Sequence, residues 1–118
     1  IDLRSISPVD YKSIYKSVKK TGRIIVLDTG NANVSIASEI VANISKNLFK
    51  YLKKAPRVIG MPNVPVPTSF GMTKDFYPDA KLITKEVLSV LGVNKNINNL
   101  FTPNKLHDIP GEWFKGPF

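Results

Sequence analysis

The sequence predicts an α/β fold with three layers, in which helices cover both faces of a mainly parallel sheet. Strand-like and helix-like segments alternate along the chain, and this alternation is typical of such sheets. The strand-like segments are continuous apolar runs, as expected for strands that are covered on both faces. At 118 residues, of which 42% are hydrophobic, the chain is long enough for a single core.

The first unit is predicted to be a strand followed by a helix. Residues 1–6 have the composition of the end of a buried strand. Ser7 is expected to cap the following helix, with Pro8 at the first helical position and Asp10 near the positive helix end. Apolar residues then recur at helical spacing while lysines occupy the opposite face, and Thr21-Gly22 is expected to end the helix.

A second strand is predicted over residues 23–28, and it runs into a turn-forming loop. Loops at the carboxyl ends of parallel strands are where ligands and subunit contacts gather. The candidate site residues in this loop are Asp28, Thr29, Gly30, Asn31 and Asn33. Asp28 is the best single candidate for a polar role, although an aspartate at the end of a strand more often caps its own loop.

The remaining elements follow the same alternation. The pattern predicts a helix over residues 34–53, a short strand over 57–61 and a last helix from about 77 to 91 that ends at Gly92. Between the last strand and the last helix, the prolines of residues 62–71 predict a rigid extended connection. Residues 1–92 are therefore expected to form the domain.

Residues 93–118 are predicted to be an irregular C-terminal tail. The tail ends in large aromatic side chains, which are expected to pack on this domain or on a partner. The residues expected to dock a partner are Trp113, Phe114 and Phe118. His107 stands beside Asp108, but adjacent side chains rarely face each other, so a structural role is favoured over catalysis.

Composition excludes several classes of function. The chain has no cysteine, so disulfides and cysteine-ligated metals are ruled out, and a reducing compartment such as the cytoplasm or an organelle matrix is expected. No apolar run is long enough to span a bilayer. The formal charge is +8, but the lysines are spread over all predicted helices, so solvated helix faces are favoured over nucleic-acid binding.

Catalytic signatures are absent from the sequence. It contains neither a glycine-rich phosphate loop nor a GxSxG nucleophile turn. Carboxylate pairs and histidine clusters that would support acid–base or metal chemistry are also missing. No catalytic, cofactor-binding or metal-binding residues are therefore predicted.

Several segments together carry a resemblance to a known family. They are residues 1–10 and 17–28, Ala37-Ser38-Glu39-Ile40, Ala55-Pro56, Pro65-Val66-Pro67 and Tyr77-Pro78. Over about residues 1–92, the chain resembles the C-terminal domain of transketolase-like thiamine diphosphate enzymes. The resemblance is greatest to the beta subunit of the decarboxylating component of 2-oxo acid dehydrogenase complexes.

The resemblance implies a domain that assembles an enzyme without performing its thiamine chemistry. Thiamine diphosphate and Mg are expected to bind the full enzyme and not this domain alone. The implied partners are an alpha subunit or the preceding thiamine-binding domains, a second beta subunit and the acyltransferase core. A further strand and helix upstream of Ile1 are also implied, so that the sheet edge beside residues 1–6 is expected to be exposed.

Departures from the family pattern fall in the candidate loop. The family usually carries Glu where Thr29 stands and a Gly-Gly pair where Val34 and Ser35 stand, which should change the backbone freedom of the loop. Two alternatives therefore remain open. One is a transketolase-like enzyme that acts on sugars, and the other is a stand-alone basic binding module.

Overall fold

The computed structural model describes residues 1–73 and 76–101. The helices are α1 (Tyr11–Thr21), α2 (Ile36–Leu48), α3 (Phe70–Thr73) and α4 (Ala80–Leu91), the strands are β1 (Ile25–Asn31) and β2 (Arg57–Met61), and short 3-10 turns cover Phe49–Tyr51 and Asn98–Leu100. From α1 to β2 this order confirms the predicted alternation of helices and strands, whereas α3 was not predicted and begins within the connection that was expected to be extended over residues 62–71.

The centre of the fold is a parallel pair of strands. β1 and β2 are hydrogen-bonded side by side with Ile25 opposite Arg57. Helix α2 makes the connection between them, as parallel strands require a crossover. The parallel arrangement confirms the predicted class of fold.

The core lies between α1, α2 and β1. Its buried cluster consists of Ile14, Val18, Ile40, Ile44 and Leu48. These side chains come from the apolar stripes predicted for the two helices, and residues 24 and 26 of the chain pack against them. Each fully buried aliphatic side chain contributes about 1.5–3 kcal/mol of transfer free energy. The apolar stripes therefore fix α1 and α2 on the sheet.

Helix α1 begins later than predicted. Its N-cap is Asp10, whose carboxylate accepts hydrogen bonds from the backbone N–H and the hydroxyl of Ser13. These bonds hold the pKa of the Asp10 carboxyl below its usual value of 3.8. The expected cap Ser7 instead lies in a turn closed by a bridge between Ile6 and Val9, with a cis peptide bond between Ser7 and Pro8.

The strand predicted over residues 1–6 is wrong for this structure. Those residues take part in no sheet, and their one ladder contact is the bridge from Ile6 to Val9. A strand needs a neighbour with which to exchange backbone hydrogen bonds, and neither β1 nor β2 provides it here. Ile1 and Ile6 are exposed to 79% and 62%, whereas Leu3 packs against the core.

The other boundaries differ mainly at their ends. Strand β2 and the stop of α1 at Gly22, which is left-handed with a φ of 71°, agree with the predictions. Helix α2 spans Ile36–Leu48 and then tightens into the turn Phe49–Tyr51, so it is shorter than the predicted 34–53. Residues 62–69 contain neither helix nor strand, in agreement with their prolines.

Helix α4 ends at Gly92 as predicted but begins at Ala80, later than the predicted start near residue 77, and its apolar side is only partly covered. Asp79 caps its start by accepting a hydrogen bond from the Leu82 N–H at 2.7 Å, and Gly92 ends it in the left-handed region. Val90 is buried, whereas Leu82 and Leu91 are exposed to 42% and 50%. Val90 is the only buried residue of α4, so most of the apolar side chains of this helix are at least partly exposed.

The aromatic tail lies outside the described residues. Trp113, Phe114, Phe118 and His107 all fall beyond residue 101. The prediction that the tail docks a partner therefore stays a prediction.

Candidate contact site at the carboxyl edge of the sheet

The candidate loop begins inside a strand. β1 continues to Asn31, so Asp28, Thr29 and Gly30 belong to the strand and not to a free loop. Leu27 is opposite Ile59 and Asn31 is opposite Met61, so a step of four residues in β1 matches a step of two in β2. The two extra residues form an irregularity of the bulge type, which redirects side chains at a strand end.

Asp28 is used by the fold itself. One carboxylate oxygen accepts the Gly30 N–H at 2.8 Å, and the other accepts the Ala37 N–H at 3.2 Å. Ala37 lies in the first turn of α2, where unpaired backbone donors and the helix dipole favour a negative charge. Asp28 therefore ties the irregular end of β1 to the start of α2.

The end of β2 contacts the same segment through backbone atoms. The Ala32 N–H donates to the Met61 carbonyl at 2.8 Å. A Cβ placed on Gly60 would lie 2.8 Å from the Gly30 carbonyl oxygen and 3.1 Å from the Ala32 nitrogen. Only glycine permits so close an approach of two backbones. Gly60 is thus a positioning residue that sequence reasoning missed.

The residues that replace the family's glycine pair have different roles. Val34 has a φ of 51°, which is unfavourable for a β-branched residue, and its side chain is fully exposed at 101%. Ser35 is the N-cap of α2: its hydroxyl accepts the Ser38 N–H, and the Ser38 hydroxyl accepts the Ser35 N–H. The left-handed backbone conformation therefore occurs at Val34 without a glycine.

The site divides into a positioning part and an exposed part. Asp28 and Gly30 are half-buried and held by internal hydrogen bonds. The exposed side chains are those of Thr29, Asn31, Asn33 and Val34. The structure thus brings all five predicted residues to one edge of the sheet, but only Thr29, Asn31 and Asn33 present side chains to an outside partner.

A groove of about 770 Å³ runs along the other side of β1. The groove is lined by the N-terminal segment, by residues 23–29 and by residues of α1 and α2. Leu27, which borders the groove, is exposed to 55%. Among the described residues, β1 pairs only with β2, so the groove follows an unpaired strand edge.

The described residues do not fit a magnesium–diphosphate site. Within residues 1–73 and 76–101, no group of three or more His, Cys, Asp or Glu side chains is arranged to hold a metal ion. The same residues leave no buried side-chain nitrogen or oxygen without a hydrogen bond. Both Asp28 oxygens are already bound by backbone donors.

The parallel strands and the crossover helix define an α/β domain with a polar carboxyl edge. The chain belongs to the transketolase C-terminal domain family, whose model matches residues 1–83. Membership confirms the expected three-layer α/β/α fold.

Curated relatives agree with this assignment. The chain is 39% identical over 83 residues to the pyruvate dehydrogenase E1 component subunit beta of Mycoplasma genitalium. The aligned region covers 70% of this chain and 26% of the relative. It is 35% identical over 92 residues to the acetoin:2,6-dichlorophenolindophenol oxidoreductase subunit beta of Bacillus subtilis, covering 78% and 27%.

A mitochondrial relative is also similar. The yeast Saccharomyces cerevisiae pyruvate dehydrogenase E1 component subunit beta is 33% identical over 94 residues, covering 79% of this chain and 26% of the relative. The chain thus spans about a quarter of the length of the relatives that it matches. Over the part of the chain that the structure describes, no helix is both long and apolar enough to cross a membrane.

Proposed function

We propose that this chain is the C-terminal assembly domain of the beta subunit of a thiamine diphosphate-dependent 2-oxo acid dehydrogenase. The full enzyme would decarboxylate a 2-oxo acid and transfer the acyl group to lipoamide. The observation that carries the proposal is the match of residues 1–83 to relatives named as pyruvate dehydrogenase beta subunits. These names favour a 2-oxo acid enzyme over the sugar-acting alternative.

The carboxyl edge would contribute to the approach to the active site. Asp28 and Gly30 hold the backbone of this edge, so they are proposed as positioning residues. Thr29, Asn31 and Asn33 are exposed and carry neutral hydrogen-bonding groups. They are proposed to contact the neighbouring subunit at the active-site entrance.

The cofactor would be held outside this domain. Thiamine diphosphate and Mg are proposed to bind the preceding domains and a partner alpha subunit, since the described residues offer no cluster of metal ligands. A second beta subunit and the acyltransferase core are the further proposed partners. Trp113, Phe114 and Phe118 are proposed to dock one of them.

The acetoin-oxidising relative supports a second candidate substrate. The chain is 35% identical to that beta subunit over 92 residues, which is close to its identity with the pyruvate dehydrogenase subunits. The two candidates share the proposed assembly role of this domain and differ in the substrate of the full enzyme.

The proposal is tested on the full-length polypeptide that contains this chain, purified together with its alpha subunit. Reduction of dichlorophenolindophenol is measured with pyruvate, branched-chain 2-oxo acids or acetoin, in the presence of thiamine diphosphate and Mg²⁺. Activity with a 2-oxo acid is expected, and it should require both subunits. Activity with acetoin alone would select the second candidate, and activity only with sugar phosphates would contradict both.

A further inference from the structure

The amino edge of the sheet joins two helix ends. The Lys53 N–H donates to the Gly22 carbonyl at 2.8 Å, just after α1 ends. A Cβ placed on Gly22 would lie 2.7 Å from the Lys53 Cγ and 3.0 Å from the Tyr51 carbonyl oxygen. The end of α1 and the turn after α2 are therefore packed directly against each other.

This packing gathers lysines that are far apart in the sequence. The ammonium of Lys19 lies 5.5 Å from the centre of the Tyr51 ring, and the ammonium of Lys50 lies 5.4 Å from the same centre. Each is within reach of a cation–π interaction. The exposed lysines of these two helix ends are Lys19, Lys20, Lys46, Lys50, Lys53 and Lys54, and we call them the basic end.

Within the described residues, no carboxylate forms an ion pair with a lysine of the basic end. The ion pairs among residues 1–73 and 76–101 are Arg4–Asp2 and Arg57–Glu86, and neither includes a lysine. Between residues 11 and 57, the acidic side chains are Asp28 and Glu39, which lie at the carboxyl edge and in the first turn of α2. Charge is thus separated between the two ends of α2.

An exposed aromatic residue adjoins these lysines. Phe49 follows directly on α2, and its side chain is exposed to 76%. Phe49 precedes Lys50 in the chain, and an exposed apolar side chain next to charged ones is compatible with a protein–protein interface, where an apolar centre is enclosed by a polar rim. The basic end therefore has both the charge and the apolar contact that a protein partner requires.

The arginines near this edge are already committed to the fold. The Arg23 Nε–H donates to the Val90 carbonyl at 3.1 Å, and Arg57 is paired with Glu86 at 4.0 Å. Bidentate recognition of phosphates and bases relies on arginine. Within the described residues, the cations of the basic end without an ion pair are lysines, which suit broad attraction to carboxylates more than the specific reading of a nucleic acid.

We propose that the basic end binds an acidic segment of a partner protein, with an apolar side chain of that segment packed on Phe49. Complementary charge would guide the encounter, and the aromatic contact would fix the position. The proposal rests on the placement of the lysines and does not depend on the identity of the enzyme's substrate.

The experiment uses the full-length protein and a fluorescent 20-residue peptide of glutamate and leucine as the probe. Binding is measured by anisotropy at low and high salt. The triple variant Lys19→Gln, Lys50→Gln, Lys53→Gln is expected to bind about tenfold more weakly than the wild type, because rim charges each contribute modestly. The matched control replaces three exposed lysines outside the basic end and changes the net charge by the same amount: Lys12→Gln, Lys81→Gln, Lys85→Gln. The affinity of this control for the peptide should fall less than twofold.

A second arm tests the apolar contact. Phe49→Ser is expected to weaken binding of the glutamate–leucine peptide severalfold. Binding of a glutamate–serine peptide should be unchanged. Circular dichroism of each variant verifies the fold, and the single charge reversal Lys50→Glu provides a milder variant if the triple change disturbs folding.

Three outcomes would overturn the proposal. The first is equal binding of the peptide by the triple variant and its control. The second is tighter binding of a 20-base-pair DNA duplex than of the peptide. If the triple variant loses this DNA binding and Phe49→Ser retains it, the surface would be assigned to nucleic acid. The third is binding only to vesicles that contain phosphatidylserine.

Discussion

The two ends of the parallel strand pair are built in opposite ways. At the carboxyl edge, both oxygens of Asp28 accept backbone hydrogen bonds and Gly60 allows two backbones to touch. At the amino edge, the ammonium groups of Lys19 and Lys50 lie beside the Tyr51 ring, and neither lysine forms an ion pair within residues 1–73 and 76–101. The polar groups of the first edge fix its shape, whereas those of the second remain available to a partner. The same crossover unit therefore supports two different kinds of contact surface.

Among the variants that test this difference between the two edges, Gly60→Ala is expected to reduce the free energy of unfolding most. The added methyl would meet the Gly30 carbonyl at 2.8 Å, so the carboxyl edge must shift. Overpacking of this kind costs about 3 kcal/mol at its upper range. Urea unfolding should show that loss, while the control Gly71→Ala should be nearly neutral because nothing lies within 4 Å of its Cβ. Equal effects would contradict the close approach.

Asp28→Ala is expected to have the next largest effect. It leaves the N–H groups of Gly30 and Ala37 without their acceptors, which costs about 2 kcal/mol in a half-buried setting. Asp28→Asn keeps one oxygen acceptor and should lose about half as much free energy of unfolding. The exposed neighbour Thr29 serves as the control, because Thr29→Ala should change the free energy of unfolding by less than about 0.5 kcal/mol. A neutral Asp28→Ala would remove the positioning role.

Val34→Gly is expected to stabilise the chain. A side chain in the left-handed region costs about 1–2 kcal/mol, and at 101% exposure the valine gains nothing from burial. The greater freedom of glycine in the unfolded chain offsets part of this stabilisation. The free energy of unfolding, measured with urea, should therefore increase by about 0.5–1 kcal/mol. Val34→Ala retains the Cβ and should show no such gain.

The smallest effect concerns the pH dependence of the α1 cap. The pKa of Asp10 is lowered by its hydrogen bonds to Ser13, so its contribution is present above the unfolded value near 3.8 and is lost as the pH falls through the lower folded value. The difference in unfolding free energy between wild type and Asp10→Asn should therefore decline only below about pH 4. A difference that grows on acidification would contradict the capping geometry.

Local signals explain which elements were predictable. Gly22 and Gly92 end their helices in the left-handed conformation, and Asp79 caps α4, so these boundaries could be predicted from short stretches. The choice of Asp10 over Ser7 as the cap of α1 depended on the turn closed between Ile6 and Val9. Both residues are good caps, so the sequence alone favoured the wrong one.

Features that depend on distant segments were not predictable. Residues 1–6 have strand-like composition, but strand formation depends on a neighbour that no local pattern supplies. The candidate Asp28 was found by its position after a strand, whereas Gly60 gained its role from the register of β2 against β1. The sequence predicts evenly spread lysines, because spacing along the chain does not reveal that the ends of α1 and α2 meet.

The central claim is that this domain assembles the enzyme while the cofactor is held elsewhere. Its most direct test is calorimetric titration of thiamine diphosphate in the presence of Mg²⁺, with circular dichroism as the check of folding. We expect no heat of binding for the folded 118-residue chain and saturable binding for the full-length protein with its alpha subunit. Tight binding of thiamine diphosphate by the chain alone would contradict it.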